Sequence, residues 1–159
     1  MRIGFARDIH RFSSNGREFI LGGVKIPSSF KVEAHSDGDV LFHALSEALL
    51  GALALGDLGT HFNENDPEFD NIDSRIILEK TLDMVKEKNY EIGNVDISVI
   101  LEKPKLRLYI NQIRESINKS LKIDIESISL KAQTNEGLGE IGENKAIECC
   151  CVVLLNKIQ

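Results

Sequence analysis

The stretch Ala34-His-Ser-Asp-Gly-Asp-Val-Leu-Phe-His43 decides how the rest of the chain is arranged. Two histidines, a serine and two carboxylates lead directly into an apolar helix that the spacing predicts over about residues 39–53. Ser36 or Asp37 can cap this helix, and Asp39 stands where the partner of a capping box belongs. Polar, metal-competent side chains beside a helix N-terminus are typical of a phosphate site. The same residues also fit a well-capped helix with two incidental histidines, and both interpretations stay open at this point.

The segments on either side of this helix predict an α+β fold. Alternating side chains predict strands, and helical spacing predicts two further helices. The strands are expected over residues 2–12, 95–101, 128–132 and 146–155, and the helices over residues 73–89 and from Pro104 to Leu121. The turn residues Ser13-Ser-Asn-Gly16 predict a hairpin into Phe19-Ile-Leu21. This order of elements favours a mixed sheet with its helices on one face.

The composition predicts a single domain that spans residues 1–159. A net charge of −6 argues against a partner nucleic acid, because sequence-independent binding needs a basic face. The chain shows no apolar run that could span a bilayer and no signal peptide at its start, so we expect no membrane partner and a cytoplasmic location. Cys149, Cys150 and Cys151 are consecutive, which indicates small strand residues in a reducing compartment.

The last predicted strand is nearly all apolar from Cys149 to Leu155. A strand with one solvated face would carry more polar residues, so this strand is predicted to be buried on both sides. A second copy of the chain could cover the second side, and we therefore expect a homo-oligomer.

Asp8, His10 and His43 form the sharpest set of chemistry-bearing residues. Asp8 and His10 lie two residues apart, so both project from one side of a strand. Imidazole and carboxylate groups are zinc ligands, and three of them would leave a fourth position for substrate or water. A packed histidine on an apolar helix is the plain alternative for His43. Farther along, Glu136 would suit a hard divalent ion that bridges phosphate oxygens, or it is simply a surface carboxylate.

Taken together, these motifs resemble the 2-C-methyl-D-erythritol 2,4-cyclodiphosphate synthase family over essentially the whole chain. The resemblance rests on ordered segments: Asp8-Ile9-His10, Leu21-Gly-Gly-Val-Lys-Ile-Pro27, Ala34 to Val40, Leu49 to Gly59, Asp73-Ser74-Arg75, Gly93-Asn-Val-Asp96, Lys103-Pro104-Lys105, Lys131-Ala132 with Thr134, and Glu136-Gly-Leu-Gly139. It implies a ferredoxin-like α+β sandwich that assembles as a homotrimer with active sites between subunits. It also implies a role in the non-mevalonate isoprenoid pathway.

The reaction that the resemblance implies is intramolecular. The 2-phosphate of 4-diphosphocytidyl-2-C-methyl-D-erythritol 2-phosphate attacks the β-phosphorus, which expels CMP and closes a cyclic diphosphate. By similarity, Asp8, His10 and His43 would hold Zn²⁺, and Glu136 would help to hold Mg²⁺ or Mn²⁺. His35 and Thr134 would orient the reacting groups and stabilise the transition state. This agrees with phosphoryl transfer in general, which needs mainly positioning and charge stabilisation.

The resemblance also assigns residues to the cytidine diphosphate substrate. Those at the metal and on the methylerythritol side are Asp8, Ile9, His10, His35, Ser36, Asp57, Leu58, Gly59, Phe62, Asn63, Glu64, Asn65 and Asp66. Those around the cytidine and the diphosphate are Leu101, Glu102, Lys103, Pro104, Lys105, Leu106, Arg107, Gln133, Thr134, Asn135 and Glu136.

Two other functions use the same residues. A zinc-dependent phosphodiesterase or hydrolase would have the same three ligands, with water in the open position. A trimeric binding or scaffold module would only capture phosphorylated ligands without turnover.

Overall fold

The computed structural model describes residues 1–63 and 71–158, which form five paired strands, a two-stranded ribbon and five helices. The strands are β1 (Arg2–Ser13), β2 (Ile20–Leu21), β3 (Val24–Lys25), β4 (Lys31–Glu33), β5 (Tyr90–Ile100), β6 (Ile128–Gln133) and β7 (Ala146–Lys157). The helices are α1 (Val40–Ala52), α2 (Leu58–His61), α3 (Ser74–Glu87), α4 (Ile110–Leu121) and α5 (Gly139–Gly142), with 3₁₀ turns at Leu106–Leu108 and Ile125–Ser127. Within the described ranges, every helix is too short or too polar to span a bilayer.

The main sheet is mixed and has the order β4-β1-β7-β5-β6. β7 runs antiparallel to both β1 and β5, whereas β5 and β6 are parallel. β1 and β5 are therefore parallel strands with β7 between them, which is the split arrangement of ferredoxin-like folds. The α4 crossover differs from that pattern because it joins β5 and β6, which are direct neighbours in the sheet. The predicted mixed α+β sheet is confirmed, with a ferredoxin-like connection in one half of it.

The sheet has one buried face and one face that is partly open to solvent in the single chain. On the buried face, residues such as Ile97, Cys149 and Val153 are completely covered, and β1 and β7 pack against α1. On the opposite face, Phe5 is 63% exposed and Val152 is 42% exposed. In the single chain, β7 is thus completely buried on one side and partly exposed on the other, whereas the sequence predicts burial on both sides.

Helix α1 begins at a different cap from either of the two that we predicted. Asp39 is the N-cap, and its carboxylate accepts hydrogen bonds from the amides of Leu41 and Phe42 at 3.1 Å each. It also accepts from the amides of Gly22 at 2.9 Å and Gly23 at 2.6 Å. The prediction of Ser36 or Asp37 as the cap was wrong, because their side chains are engaged elsewhere, as described below. Burial raises the pKa of Asp39, and the amide donors oppose that rise.

Two local predictions also need correction. The Ser13–Gly16 turn does not lead into a hairpin with Phe19–Leu21; β1 pairs instead with β4, through Arg11–Glu33 to Ser13–Lys31. Pro104 does not open the third helix, which begins only at Ile110 after the 3₁₀ turn. The Lys103–Pro104 peptide bond is cis.

Candidate functional site

Asp8, His10 and His43 converge at one point between β1 and α1. Asp8 Oδ2 lies 3.0 Å from His10 Nε2 and 3.2 Å from His43 Nδ1. The two imidazole rings meet edge to face with centroids 5.2 Å apart. Among the described residues, this is the one group of three or more metal-competent side chains, and its ligand atoms lie within 4.8 Å of one another. The structure therefore brings together all three residues that were predicted to bind zinc.

The outer hydrogen bonds of the two histidines assign their tautomers. His10 Nδ1 lies 3.1 Å from the carbonyl oxygen of Gly38, which can only accept, so Nδ1 carries the proton. His43 Nε2 lies 2.9 Å from Ser74 Oγ. The Ser74 hydroxyl donates to Asp37, so it accepts from His43, and Nε2 carries the proton of that ring. In neutral rings, the lone pairs of His10 Nε2 and His43 Nδ1 then both face the carboxylate of Asp8.

Two lone pairs that face a carboxylate repel it unless a cation lies among them, so the donor set fits a zinc ion. Asp8 Oδ2 is buried and makes no well-directed hydrogen bond to any described residue, although both ring nitrogens are close. Burial raises the pKa of Asp8, but in the metal-free protein hydrogen bonds and positive charge from the two imidazoles in their protonated form outweigh this and hold the pKa far below its usual range. Burial lowers the pKa of His10, and Asp8 reverses the shift so that the pKa is raised.

A cavity of about 560 Å³ opens beside these ligands. Its walls include eight residues predicted for the metal or the methylerythritol side, together with Glu33 and three unpredicted apolar residues. Its lining residues are His10, Glu33, Ala34, His35, Ser36, His43, Leu58, Gly59, Phe62, Asn63, Ile72 and Ile77. The structure thus places the helix-entry residues and the loop around α2 against the zinc ligands.

Some predicted residues of this side stand apart from the cavity walls. Asp57 caps α2 and accepts from the amide and hydroxyl of Thr60 at 2.9 and 2.7 Å. Ile9 follows Asp8 on β1, so its side chain lies on the opposite sheet face, where it is 43% exposed. Glu64, Asn65 and Asp66 lie outside the described residues.

A second cavity, of about 340 Å³, gathers the residues predicted to surround the cytidine and diphosphate. It lies beside β6, and its predicted members are Leu101, Pro104, Lys105, Leu106, Arg107, Gln133 and Thr134. Glu102 does not line this cavity. Its Oε1 accepts hydrogen bonds from the amides of Asn135 at 2.9 Å and Gly137 at 3.2 Å and so holds the loop after β6. The Thr134 hydroxyl donates to the Glu136 carboxylate on the same loop, and Lys103 is not part of the cavity wall.

The two groups of residues lie on different strands of one sheet. Asp8 is in register with Cys149, which is in register with Val99, and Val99 pairs with Ala132. Three strand spacings therefore separate Asp8 from Ala132, about 14 Å. A diphosphate group is much shorter than that distance. Among the described residues, Glu136 does not belong to the cluster that the three predicted zinc ligands form.

Sequence reasoning missed the partners that orient His43. Ser74 begins α3 and is completely buried, and Asp37 holds it through both the backbone and the side chain. We had predicted Asp37 only as a possible helix cap. The Asp73-Ser74-Arg75 segment stood out in the sequence, but nothing local to it indicated a contact with a residue 31 positions away.

Comparison with known proteins agrees with this architecture. The sequence pattern of the YgbB family matches residues 1–156. The 2-C-methyl-D-erythritol 2,4-cyclodiphosphate synthase of Brachyspira hyodysenteriae is 52% identical over 157 residues, which cover 99% of each chain. The protein of the same name from Fusobacterium nucleatum is 48% identical over 99% of this chain and 98% of its own length.

Solved structures give the same result. IspF of Plasmodium falciparum in a complex with CDP superposes with a TM-score of 0.87 at 41% identity, over 99% of this chain and 97% of that one. The bifunctional IspDF of Campylobacter jejuni superposes with a TM-score of 0.94 at 37% identity, over 99% of this chain and 42% of the longer one. The chain belongs to the YgbB family and is an enzyme of the 2-C-methyl-D-erythritol 2,4-cyclodiphosphate synthase family.

Proposed function

We propose that this chain, as a single domain, converts 4-diphosphocytidyl-2-C-methyl-D-erythritol 2-phosphate to 2-C-methyl-D-erythritol 2,4-cyclodiphosphate and CMP. An oxygen of the 2-phosphate forms a bond to the β-phosphorus, and the bond from that phosphorus to the bridging oxygen of CMP breaks. The observation that carries the proposal is the convergence of Asp8, His10 and His43 beside a cavity lined by His35 and Ser36. The names of the relatives support the product, 2-C-methyl-D-erythritol 2,4-cyclodiphosphate.

Asp8 Oδ2, His10 Nε2 and His43 Nδ1 would hold Zn²⁺, and Glu136 would contribute a carboxylate to Mg²⁺ or Mn²⁺. When bound, these ions would supply positive charge to the phosphate oxygens as charge moves toward CMP. A chain of net charge −6 has no general excess of cationic side chains that could offset the charge of three phosphate groups. Metal ions held by these residues would offset that charge instead.

The chain itself would act mainly by positioning its substrate. The attacking oxygen belongs to the substrate, so no side-chain nucleophile is needed, and a folded substrate makes the attack intramolecular. His35 lines the cavity beside the predicted zinc ligands, where it would orient the attacking phosphate. Thr134 lines the cavity beside β6, where its hydroxyl would contact the diphosphate.

We further propose a homotrimer whose active sites lie between subunits. Glu136 is not part of the cluster of predicted zinc ligands, and about 14 Å separates the Asp8 position from the Ala132 position on the strand that leads to Glu136. A neighbouring copy could supply the missing half. The exposed apolar side chains of Ile3, Phe5 and Val152 form a face that such copies could bury.

Phosphorus NMR of the substrate with zinc- and magnesium-loaded protein tests the reaction. We expect resonances of a cyclic diphosphate and of CMP in equal amounts. CMP release with an open-chain diphosphate or free phosphate would instead show a hydrolase, and tight binding without turnover would show a binding module. The variant His43→Ala should stay folded by circular dichroism and lose zinc and turnover; full activity would remove it from the ligand set.

Mixing two inactive variants tests the intersubunit site. His43→Ala disables one half of each site and Glu136→Ala the other, so a mixed trimer regains one complete site at one of its three interfaces. Random reassembly of equal amounts should therefore restore about a quarter of the wild-type sites. Recovery should be absent when the two variants are mixed without unfolding and reassembly. Lack of recovery after verified subunit exchange would place both halves of the site in one chain.

A further inference from the structure

We infer that Asp37 and Ser74 form a hydrogen-bond relay that positions His43 and sets the affinity of the Asp8–His10–His43 site for zinc. The inference rests on the proposed function only to the extent that His43 is a metal ligand. It assigns a role to two residues that neither line the cavity nor belong to the ligand set.

The relay is fully connected, and its central residue is buried. Ser74 has no exposed surface, and its Oγ lies 2.9 Å from His43 Nε2. Its hydroxyl donates to Asp37 Oδ1, and its amide donates to Asp37 Oδ2 at 3.1 Å. The Asp37 carboxylate also accepts from the amide of Asp39 at 3.1 Å. Three donors therefore fix this carboxylate, which leaves the hydroxyl of Ser74 a single orientation.

The direction of the relay matters for metal binding. Because the carboxylate of Asp37 can only accept, Ser74 must present its lone pair to the ring, and His43 must carry its proton on Nε2. Nδ1 is then free of a proton and lies 3.2 Å from Asp8 Oδ2. Partners of this kind raise the basicity of a ligating imidazole and fix its plane. Ser36 Oγ, 3.1 Å from the same Nε2, is a second and weaker acceptor, since it also accepts from Gly38.

His43 depends on side chains for this control, whereas His10 depends on the backbone. The partner of His10 Nδ1 is the carbonyl of Gly38, which a substitution does not remove. The partner of His43 comes from the first residue of α3, while His43 itself lies in α1. The orientation of His43 therefore depends on the packing of α3 against α1. A substitution at Ser74 can test this dependence.

Zinc affinity of Ser74→Ala, measured by competition with a chromophoric chelator, tests the relay. We expect zinc binding about 10- to 100-fold weaker than in the wild type. Ser46→Ala is a matched control: Ser46 is equally buried in α1, and its hydroxyl has no hydrogen-bond partner among the described residues. This control should bind zinc as the wild type does. Equal affinities for Ser74→Ala and Ser46→Ala would overturn the inference.

A second readout reports the relay directly. Long-range ¹H–¹⁵N NMR of the metal-free protein at a pH where His43 is neutral should show the Nε2–H tautomer in the wild type and a shift toward Nδ1–H in Ser74→Ala. An unchanged tautomer would contradict the proposed direction of donation. Asp37→Asn removes the charge but not the Ser74 hydroxyl, and it should weaken zinc binding in the same sense. If circular dichroism shows that Ser74→Ala does not fold, Asp37→Asn decides the question by both readouts.

These outcomes separate the relay from the proposed function. Zinc affinity unchanged in His43→Ala would show that the ligand set itself is wrong. Zinc affinity lost in His43→Ala but retained in Ser74→Ala and Asp37→Asn would leave the ligand set intact and refute the relay alone. Neither comparison uses turnover, so an error in the assigned substrate leaves both results valid.

Discussion

We expect Asp39→Ala to be strongly destabilising although the Asp39 carboxylate makes no hydrogen bond to a predicted ligand. The carboxylate of Asp39 is completely buried and accepts four backbone hydrogen bonds. Two of these cap α1, and two hold Gly22 and Gly23 beside the helix entry. Alanine leaves all four amides without their acceptor, at the point where the chain positions His43.

The magnitude follows from these two groups of bonds. Loss of an N-cap costs about 0.5–2 kcal/mol. A buried amide that loses its acceptor costs about 1–3 kcal/mol, which applies to Gly22, whereas the exposed Gly23 can offer its amide to water. We therefore expect a loss of about 1.5–5 kcal/mol in the free energy of unfolding. Burial of the Asp39 carboxylate, which raises its pKa, costs free energy that alanine does not cost. We therefore expect the loss to lie in the lower half of this range. Small domains are stable by about 5–15 kcal/mol, so the loss is a large share of the total.

Urea unfolding followed by circular dichroism measures this change, with Asp73→Ala as the control. Asp73 caps α3 in the same way, but its side chain accepts only from the amide of Arg75, at 2.8 Å, among the described contacts. The control should lose about 1 kcal/mol. An Asp39→Ala variant that is no less stable than Asp73→Ala would refute the reasoning that the two glycine amides depend on Asp39.

Two further predictions concern packing and pH. In Gly4→Ala the new Cβ would lie 1.9 Å from the carbonyl oxygen of Ala48, so thermal unfolding should show a loss of at least about 1–3 kcal/mol. Gly51→Ala, whose nearest heavy atom outside the helix would be 4.0 Å away, should gain up to about 1 kcal/mol; equal behaviour of the two would contradict the contact. In metal-free protein, the folded pKa of Asp8 lies below its ordinary value of 3.8, so its contribution to stability is present above that pH and is lost as the pH falls. The folded pKa of His10 lies above 6.5, so its contribution is complete below that pH and is lost as the pH rises through the folded pKa. The stability difference between wild type and Asp8→Asn should therefore be widest between about pH 4 and 6.5, and a pH-independent difference in thermal scans with chelator would contradict the shifts.

The sequence predicts those parts of the molecule that depend on a fixed local period. Asp8 and His10 share a strand face because side chains alternate, and the apolar spacing after Asp39 predicts α1 closely. The candidate zinc ligands were therefore identifiable before the fold was known. The mixed sheet also follows from the order of the elements.

The predictions that were wrong concern contacts between segments that are distant in the sequence. The hairpin after Ser13 was wrong because the apolar run Phe19–Leu21 is buried against the core while its backbone pairs with β3. The predicted N-cap was wrong because Asp39 also accepts hydrogen bonds from two glycine amides 16 and 17 residues earlier, which local spacing does not indicate. The contact of Ser74 with His43 likewise spans 31 residues, and no spacing rule covers it.

The central position of β7 has a consequence for the order in which the sheet can form. β1 and β5 do not pair with each other, and β7 joins them through pairs as distant in sequence as Arg2 with Leu155. During synthesis, both strands are complete long before their common partner leaves the ribosome. Until then the one edge of each strand that faces β7 is unpaired, and contacts of such long sequence separation form slowly. The sheet can therefore close only after β7 has been translated.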